Sequence, residues 1–252
     1  MRHKINILFL VVGVLSVQLF VDDPKFKWTC TLIIIGVFLF FLFLGVLTLR
    51  LNYFLPAVHK INSKEVLLTF DDGPDPEFTP QILEILKEND IKSIFFIIGS
   101  KAEKHPNIIS KILSDGHLIA NHTYTHSNLF PLFSSKKVIK EIQLTNDIIR
   151  NISGKENLFF RPPIGYTNPI IARAVSSMEL TLIGWSGRSY DTVLTSVDLL
   201  KKRVLKISKP GRIILLHDNL RQTRLMLPLY LSEAKKNGII FVNEKSLSSL
   251  SI

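Results

Sequence analysis

Two kinds of apolar pattern divide the chain. Residues 5–21 are apolar apart from Asn6, Ser16 and Gln18, and residues 29–49 carry no charge and present no polar face. Each is long enough for a helix to cross a hydrocarbon core, which takes roughly 17–25 residues. From about residue 61 the pattern changes to short apolar runs alternating with amphipathic segments. The runs at 65–70, 93–98, 117–120, 158–160, 180–185, 212–216 and 239–242 have strand character. Helical periodicity falls between them, near 79–89, 106–114, 137–151, 168–177, 197–207 and 222–236. Thr79-Pro80 reads as an N-cap and first helical position, and Asn237-Gly238 as a helix C-terminus. Such alternation predicts an α/β fold of parallel strands with helical crossovers.

The chain therefore reads as a membrane anchor over residues 1–60, with spans at about 5–21 and 29–49, followed by one globular domain over 61–252. Arg2 and Lys4 would also suit a signal peptide, but no small-x-small cleavage site precedes Asp22-Asp23 and a second apolar helix follows at once. A retained two-span anchor in the bacterial inner membrane is the expectation. Arg2, Lys4, Arg50, Lys60 and Lys64 outnumber Lys25 and Lys27 of the short connection, which by the positive-inside rule places both ends in the cytosol. The connection is short and its charges nearly balanced, so the side that carries the domain stays open.

Net charge is +10, a moderate excess that suits an anionic membrane surface or an acidic polymer. No Lys/Arg run interleaved with aromatics occurs, which argues against nucleic acid as a partner. The single cysteine, Cys30, lies in the second apolar stretch, so neither a disulfide framework nor a cysteine metal site is available.

Polar residues capable of chemistry follow the apolar strand segments. Thr69-Phe70-Asp71-Asp72-Gly73-Pro74 ends the first. Adjacent carboxylates repel, so a cation or a shared proton best accounts for the pair, one acid binding metal while the other handles protons. His122 and His126 stand four apart after 117–120; on one face of a helical turn both could reach one ion. With Asp72 they give two nitrogens and an oxygen, a facial set that leaves positions for water and substrate. Arg161-Pro162-Pro163-Ile164-Gly165 follows Phe160, and its guanidinium is suited to holding a carboxylate by a forked hydrogen bond. His217 ends the run Ile213-Ile214-Leu215-Leu216 beside Asp218; a nearby carboxylate would keep it protonated as a general acid. Residues 185–191 add Trp185 and Asp191. That all of these follow strands predicts a β/α barrel, whose C-terminal strand ends converge on one mouth.

These motifs resemble, in order, those of the polysaccharide deacetylases of carbohydrate esterase family 4, the NodB-homology domain. Thr69-Phe70-Asp71-Asp72-Gly73-Pro74 is similar to TFDDGP, residues 122–126 to H[ST]xxH, and residues 161–165 to RxPxG. Residues 185–191 stand in place of the fourth motif, and Leu215-Leu216-His217 resembles LxH; the likeness covers about residues 64–245. It implies a deformed (β/α)7 barrel and a divalent metal, usually Zn2+, held by Asp72, His122 and His126. Asp71 would be the base that activates water, oriented by Arg161, and His217 the acid, held protonated by Asp191. The backbone N–H of Ile164 would polarise the acyl oxygen, and Leu215 with Trp185 would line the pocket for the acetyl methyl. Family members often carry an aromatic residue where Ile164 stands, and a Trp where Thr192 follows Asp191; both positions shape the substrate groove.

The expected activity is removal of N-acetyl groups from amino sugars of an envelope glycan such as peptidoglycan. Two alternatives have different partners. A lipid-linked amino sugar at the bilayer could be deacetylated or deformylated by the same chemistry, and a non-catalytic domain could merely bind an N-acetylated glycan.

Overall fold

The computed structural model describes residues 2–248. Two antiparallel helices open the chain, α1 (Arg2–Phe20) and α2 (Pro24–Leu47). Both are long and apolar enough to cross a membrane, and no residue of α1 is buried. The hairpin is tighter than the sequence pattern predicts. Asp23 accepts a hydrogen bond from the Phe26 N–H and Pro24 occupies the first turn, so α2 starts at 24 rather than 29 and takes Lys25 and Lys27 into its first turn. Its far end is tied to the domain. The Thr167 N–H donates to the Val46 carbonyl, the Tyr53 carbonyl accepts from the His3 N–H, and Arg2 Nη1 donates to the Leu51 carbonyl.

The domain is a seven-stranded, all-parallel sheet curled into an incomplete barrel. Its strands are β1 (Leu67–Gly73), β2 (Ile94–Ile97), β3 (Leu118–Asn121), β4 (Phe159–Phe160), β5 (Thr181–Leu182), β6 (Gly187–Arg188) and β7 (Ile213–His217), in the order β5-β4-β3-β2-β1-β7-β6. The helices are α3 (Phe78–Glu88), α4 (Gly99–Lys104), α5 (Pro106–Ser114), α6 (Ser135–Ser153), α7 (Pro169–Ser177), α8 (Val197–Ile207), α9 (Arg221–Lys236) and α10 (Glu244–Ser248). The expected deformed barrel is thus the observed fold. Its deformation lies between β5 and β6, where the chain leading into β1 fills the gap. The Val58 N–H donates to Leu182 O, Gly184 N–H donates to Val58 O, and Lys60 bridges Arg212.

Alternation along β1 sorts its side chains. Leu68 and Phe70 pack outward with Ile82, Leu86, Leu227 and Tyr230 of α3 and α9, whereas Leu67 packs inward with Ile94, Phe96 and Ile213. Each fully buried side chain of this size contributes about 1.5–3 kcal/mol of transfer free energy, so β1 is pinned from both faces. Thr69 and Asp71 share the inward face.

Three local expectations need correction. Residues 239–242 are not a strand; Phe241 makes one isolated parallel bridge with Val66, and the seventh strand is the two-residue β6, too short to leave a period in the sequence. Thr79 does not cap α3, which begins at Phe78. Asp75 Oδ1 accepts from the Glu77 and Phe78 N–H groups instead, freeing the Thr79 hydroxyl to donate to Asp218. His122 and His126 lie on a loop, not on a helical turn. The close of α9 is as expected: Gly238 has φ 74°, with Gly238 N–H bonded to Lys235 O and Ile239 N–H to Ala234 O.

Candidate active site

Strict alternation would send Asp71 and Asp72 to opposite faces of the sheet. A bulge in β1 prevents this: Asp71 pairs with Phe96 and Gly73 with Ile97, leaving Asp72 as an extra residue at φ 72°. Both carboxylates then line one cavity of about 180 Å3, together with His122, His126, Ile164, Trp185, Leu215 and His217. Thr123, His126, Ile164 and Tyr190, on three other loops at the same mouth, also hold positive φ. Non-glycine residues in that region cost on the order of 1–3 kcal/mol each and collect where a site dictates the backbone.

Asp72 Oδ1 lies 3.5 Å from His122 Nε2 and 3.2 Å from His126 Nε2, and the three donor atoms all fall within 4.8 Å of one another. The His122 Nδ1–H donates to the Arg161 carbonyl at 2.7 Å, which turns the Nε2 lone pair toward Asp72. Burial, then the neighbouring His122, lowers the pKa of His126 and favours the neutral, ligating imidazole. Burial would raise the Asp72 pKa, but the neighbouring imidazoles of His122, His126 and His217 hold it well below the carboxylate range. Asp72 Oδ1 is buried without a hydrogen-bond partner. An orphaned carboxylate oxygen facing two imidazole nitrogens fits a divalent cation, and two nitrogens with one oxygen suit zinc.

The loop that carries the histidines is held by a residue the motif reading missed. Glu141 of α6, a buried carboxylate, accepts from the Tyr124 and Thr125 N–H groups at 3.1 and 2.8 Å and from the Thr125 hydroxyl. Asn121 adds a second brace by accepting from the Thr123 N–H. A buried acid facing the loop that precedes its own helix leaves a signal at Glu141, a charge on the uncharged helical face of Val138, Ile142, Thr145 and Ile149.

Arg161 is completely buried inside the barrel. Its Nη1 donates to Asp71 Oδ1 at 2.6 Å and to the Thr69 hydroxyl at 2.9 Å, while Nε and Nη2 donate to the carbonyls of Ile183 and Gly184. The guanidinium also stacks 3.9 Å from the Phe96 ring centroid. Burial lowers its pKa and Asp71 restores part of the loss. One carboxylate oxygen of Asp71 is thus fixed; the other, Oδ2, lies 3.7 Å from His122 Nε2 and faces the cavity.

Across the cavity, His217 at the end of β7 is held by Asp191 and not by the adjacent Asp218. Its Nδ1 lies 2.8 Å from Asp191 Oδ1, and its backbone N–H donates to Oδ2. Ser189 and Thr223 hydroxyls complete the shell of that buried carboxylate. Burial opposes the charge on His217, but the hydrogen bond and charge of Asp191, with Asp71 and Asp72 adding, raise its pKa to about 9. Asp191 is lowered in return by the same bond against its own burial. Asp218 faces the other way, toward Thr79, and burial pushes its pKa up to about 7.

Gly165, at φ 86°, sits where a Cβ would collide with the Trp185 ring, so the 161–165 loop and Trp185 form one wall. The structure thus brings together eight of the ten expected site residues around the cavity and sets the other two, Arg161 and Asp191, behind Asp71 and His217. Arg188 and Thr192 line it as well.

The site thus sets a buried carboxylate clamped by an arginine, an imidazole whose charge a second carboxylate favours, and a cluster of three metal-type donor atoms around one cavity. Residues 59–183 match the family model for polysaccharide deacetylase. Over 190 residues the chain is 36% identical to a peptidoglycan-N-acetylglucosamine deacetylase of Bacillus cereus, covering 74% of this chain and 69% of that protein. The structure of the peptidoglycan deacetylase PdaC from Bacillus subtilis superposes with a TM-score of 0.68 at 31% identity, over 75% of this chain and 91% of that one. A family 4 carbohydrate esterase from Streptomyces lividans, solved with acetate, gives a TM-score of 0.66 at 27% identity, over 76% and 98%. The chain belongs to the polysaccharide deacetylase family, carbohydrate esterase family 4.

Proposed function

We propose that this protein is a metal-dependent hydrolase that removes N-acetyl groups from amino sugars of a cell-envelope glycan. The domain over 61–252 would do the chemistry and residues 1–60 would hold it to the membrane. Carbohydrate deacetylation is the activity that family membership supports. The single observation that carries the finer reading is the division of labour between adjacent carboxylates, Asp72 turned to two imidazoles and Asp71 clamped by a buried arginine.

Asp72, His122 and His126 would hold the cation. Bound there, a divalent ion such as Zn2+ supplies Lewis acidity toward the acyl oxygen and makes water a better nucleophile at neutral pH. Asp71 Oδ2 accepts the proton of the attacking water, and Arg161 keeps that carboxylate aimed. As the acyl carbon becomes tetrahedral, the backbone N–H of Ile164 stabilises its oxygen. His217 donates from Nε2, since Nδ1 is committed to Asp191, to the departing nitrogen. The C–N bond then breaks to acetate and free amine. Leu215 and Trp185 enclose the methyl.

Acetate release from an N-acetylglucosamine oligomer, with and without a chelator, tests this. Activity that survives complete chelation, or survives Asp71→Asn, refutes it.

A further inference from the structure

A second cavity, of about 450 Å3, adjoins the catalytic one and shares its Ile164, Gly165, Trp185 and Arg188 wall. Its opposite wall is the end of α2 and the residues just after it, from Leu47 to Arg50. Three guanidiniums face this space, Arg50, Arg188 and Arg203, with His59 beside them and no carboxylate in the lining. Among the described residues, the arginines paired to carboxylates are Arg150 and Arg161, so these three have no ionic partner. Two of them are pre-positioned. Arg203 Nε and Nη2 donate to the Arg188 carbonyl, and both guanidiniums lie against the Tyr190 ring, at 4.8 and 5.2 Å from its centroid.

Unpaired guanidiniums converging on one space select an anion with several oxygens. A neutral N-acetylglucosamine polymer offers none. Position narrows the choice, because the cavity opens at the end of an apolar helix fit to span a bilayer, where a lipid-borne group would lie at headgroup depth. We infer that this cavity seats the phosphate or pyrophosphate of a lipid-linked N-acyl amino sugar, whose acyl group reaches Asp71 and His217 through the shared wall. The inference rests on the deacetylase reading and narrows its substrate class to a membrane-borne phosphosugar.

The test uses the full chain in lipid nanodiscs, with three probes: N-acetylglucosamine pyrophosphoryl lipid, soluble N-acetylglucosamine 1-phosphate and the neutral N-acetylglucosamine tetramer. The expected kcat/KM for the lipid is at least tenfold above that for the tetramer, and Arg50→Gln and Arg203→Gln each cut that ratio at least tenfold. Arg50 is exposed and keeps the test decisive if the Arg203 variant does not fold. A ratio unchanged by either variant overturns the phosphate seat. A gain for the soluble phosphate with none further for the lipid overturns the lipid-linked source. Absence of turnover on every probe would count against deacetylation itself. Binding of Asp71→Asn protein to the pyrophosphoryl lipid then tests the seat separately: weakening by Arg50→Gln supports it, and an unchanged Kd overturns it.

Discussion

Asp191→Asn removes the charge that keeps His217 protonated and leaves nearly all of the volume. In the structure Asp191 is completely buried and holds His217 at both Nδ1 and the backbone N–H, and the His217 pKa lies near 9 against an ordinary 6.5. That difference corresponds to about 3 kcal/mol favouring the imidazolium, at about 1.4 kcal/mol per pH unit. A group titrating at about 9 is roughly 90% protonated at pH 8, and one at 6.5 only about 3%, so the variant should lose up to about thirtyfold in kcat/KM there. At pH 6 most of the loss should vanish. A cation on Asp72 cancels part of the carboxylate field on His217, which places the wild-type alkaline limb between 6.5 and about 9. The assay is the pH profile of acetate release from a glycan oligomer, with melting temperature as a check on folding. A loss of equal size at every pH, or an unmoved alkaline limb, refutes the argument. A raised histidine pKa contributes stability that is fully present below pH 6.5 and lost as pH rises through about 9, so the wild type but not the variant should lose stability across that window.

Other perturbations separate positioning from chemistry. Gly165→Ala puts a Cβ into the Trp185 ring at a positive φ, and should raise KM while metal content stays at the wild-type level, read by steady-state kinetics and metal analysis. Glu141→Ala frees the loop carrying His126 and should weaken metal affinity about tenfold or more, with a competing chelator as the measure. Arg161→Met strands Asp71 inside the barrel; loss of one partner of such a buried pair costs about 3–5 kcal/mol, which denaturant titration would register along with loss of turnover.

The strand ends and the order of the motifs were legible because each apolar run stops at a polar, chemically distinctive residue. β2, β3 and β7 were read to within one residue at each end on that account, whereas β1 runs three residues further than its apolar run. What escaped depended on contacts between distant segments. β6 is two residues held by β7, and residues 239–242 have strand composition but only one bridge with Val66. The His122 and His126 pair keeps helical spacing while lying on a loop, which Asn121 and Glu141 hold by accepting from the Thr123, Tyr124 and Thr125 N–H groups. Adjacent carboxylates can share a cavity only through the bulge at Asp72, and a bulge depends on register with β2. Asp218 stood beside His217 in sequence, yet strand geometry turned it to Thr79 and gave the histidine to Asp191. The Arg50, Arg188 and Arg203 cavity was illegible for the same reason, its three cations being scattered over more than half of the chain.

The central claim is that Asp72 holds a metal while its neighbour Asp71 moves the proton. Metal content and acetate release, measured together on purified wild type, Asp72→Ala, His126→Ala and Asp71→Asn, test it most directly. The account predicts one bound divalent ion and turnover in the wild type, and loss of both in Asp72→Ala and His126→Ala. Asp71→Asn should keep its metal and lose turnover by a factor of a hundred or more, on the order of the 10²–10⁴ that general acid–base catalysis supplies. A metal-free wild type that turns over, or an Asp71→Asn protein that keeps both metal and full activity, would contradict it.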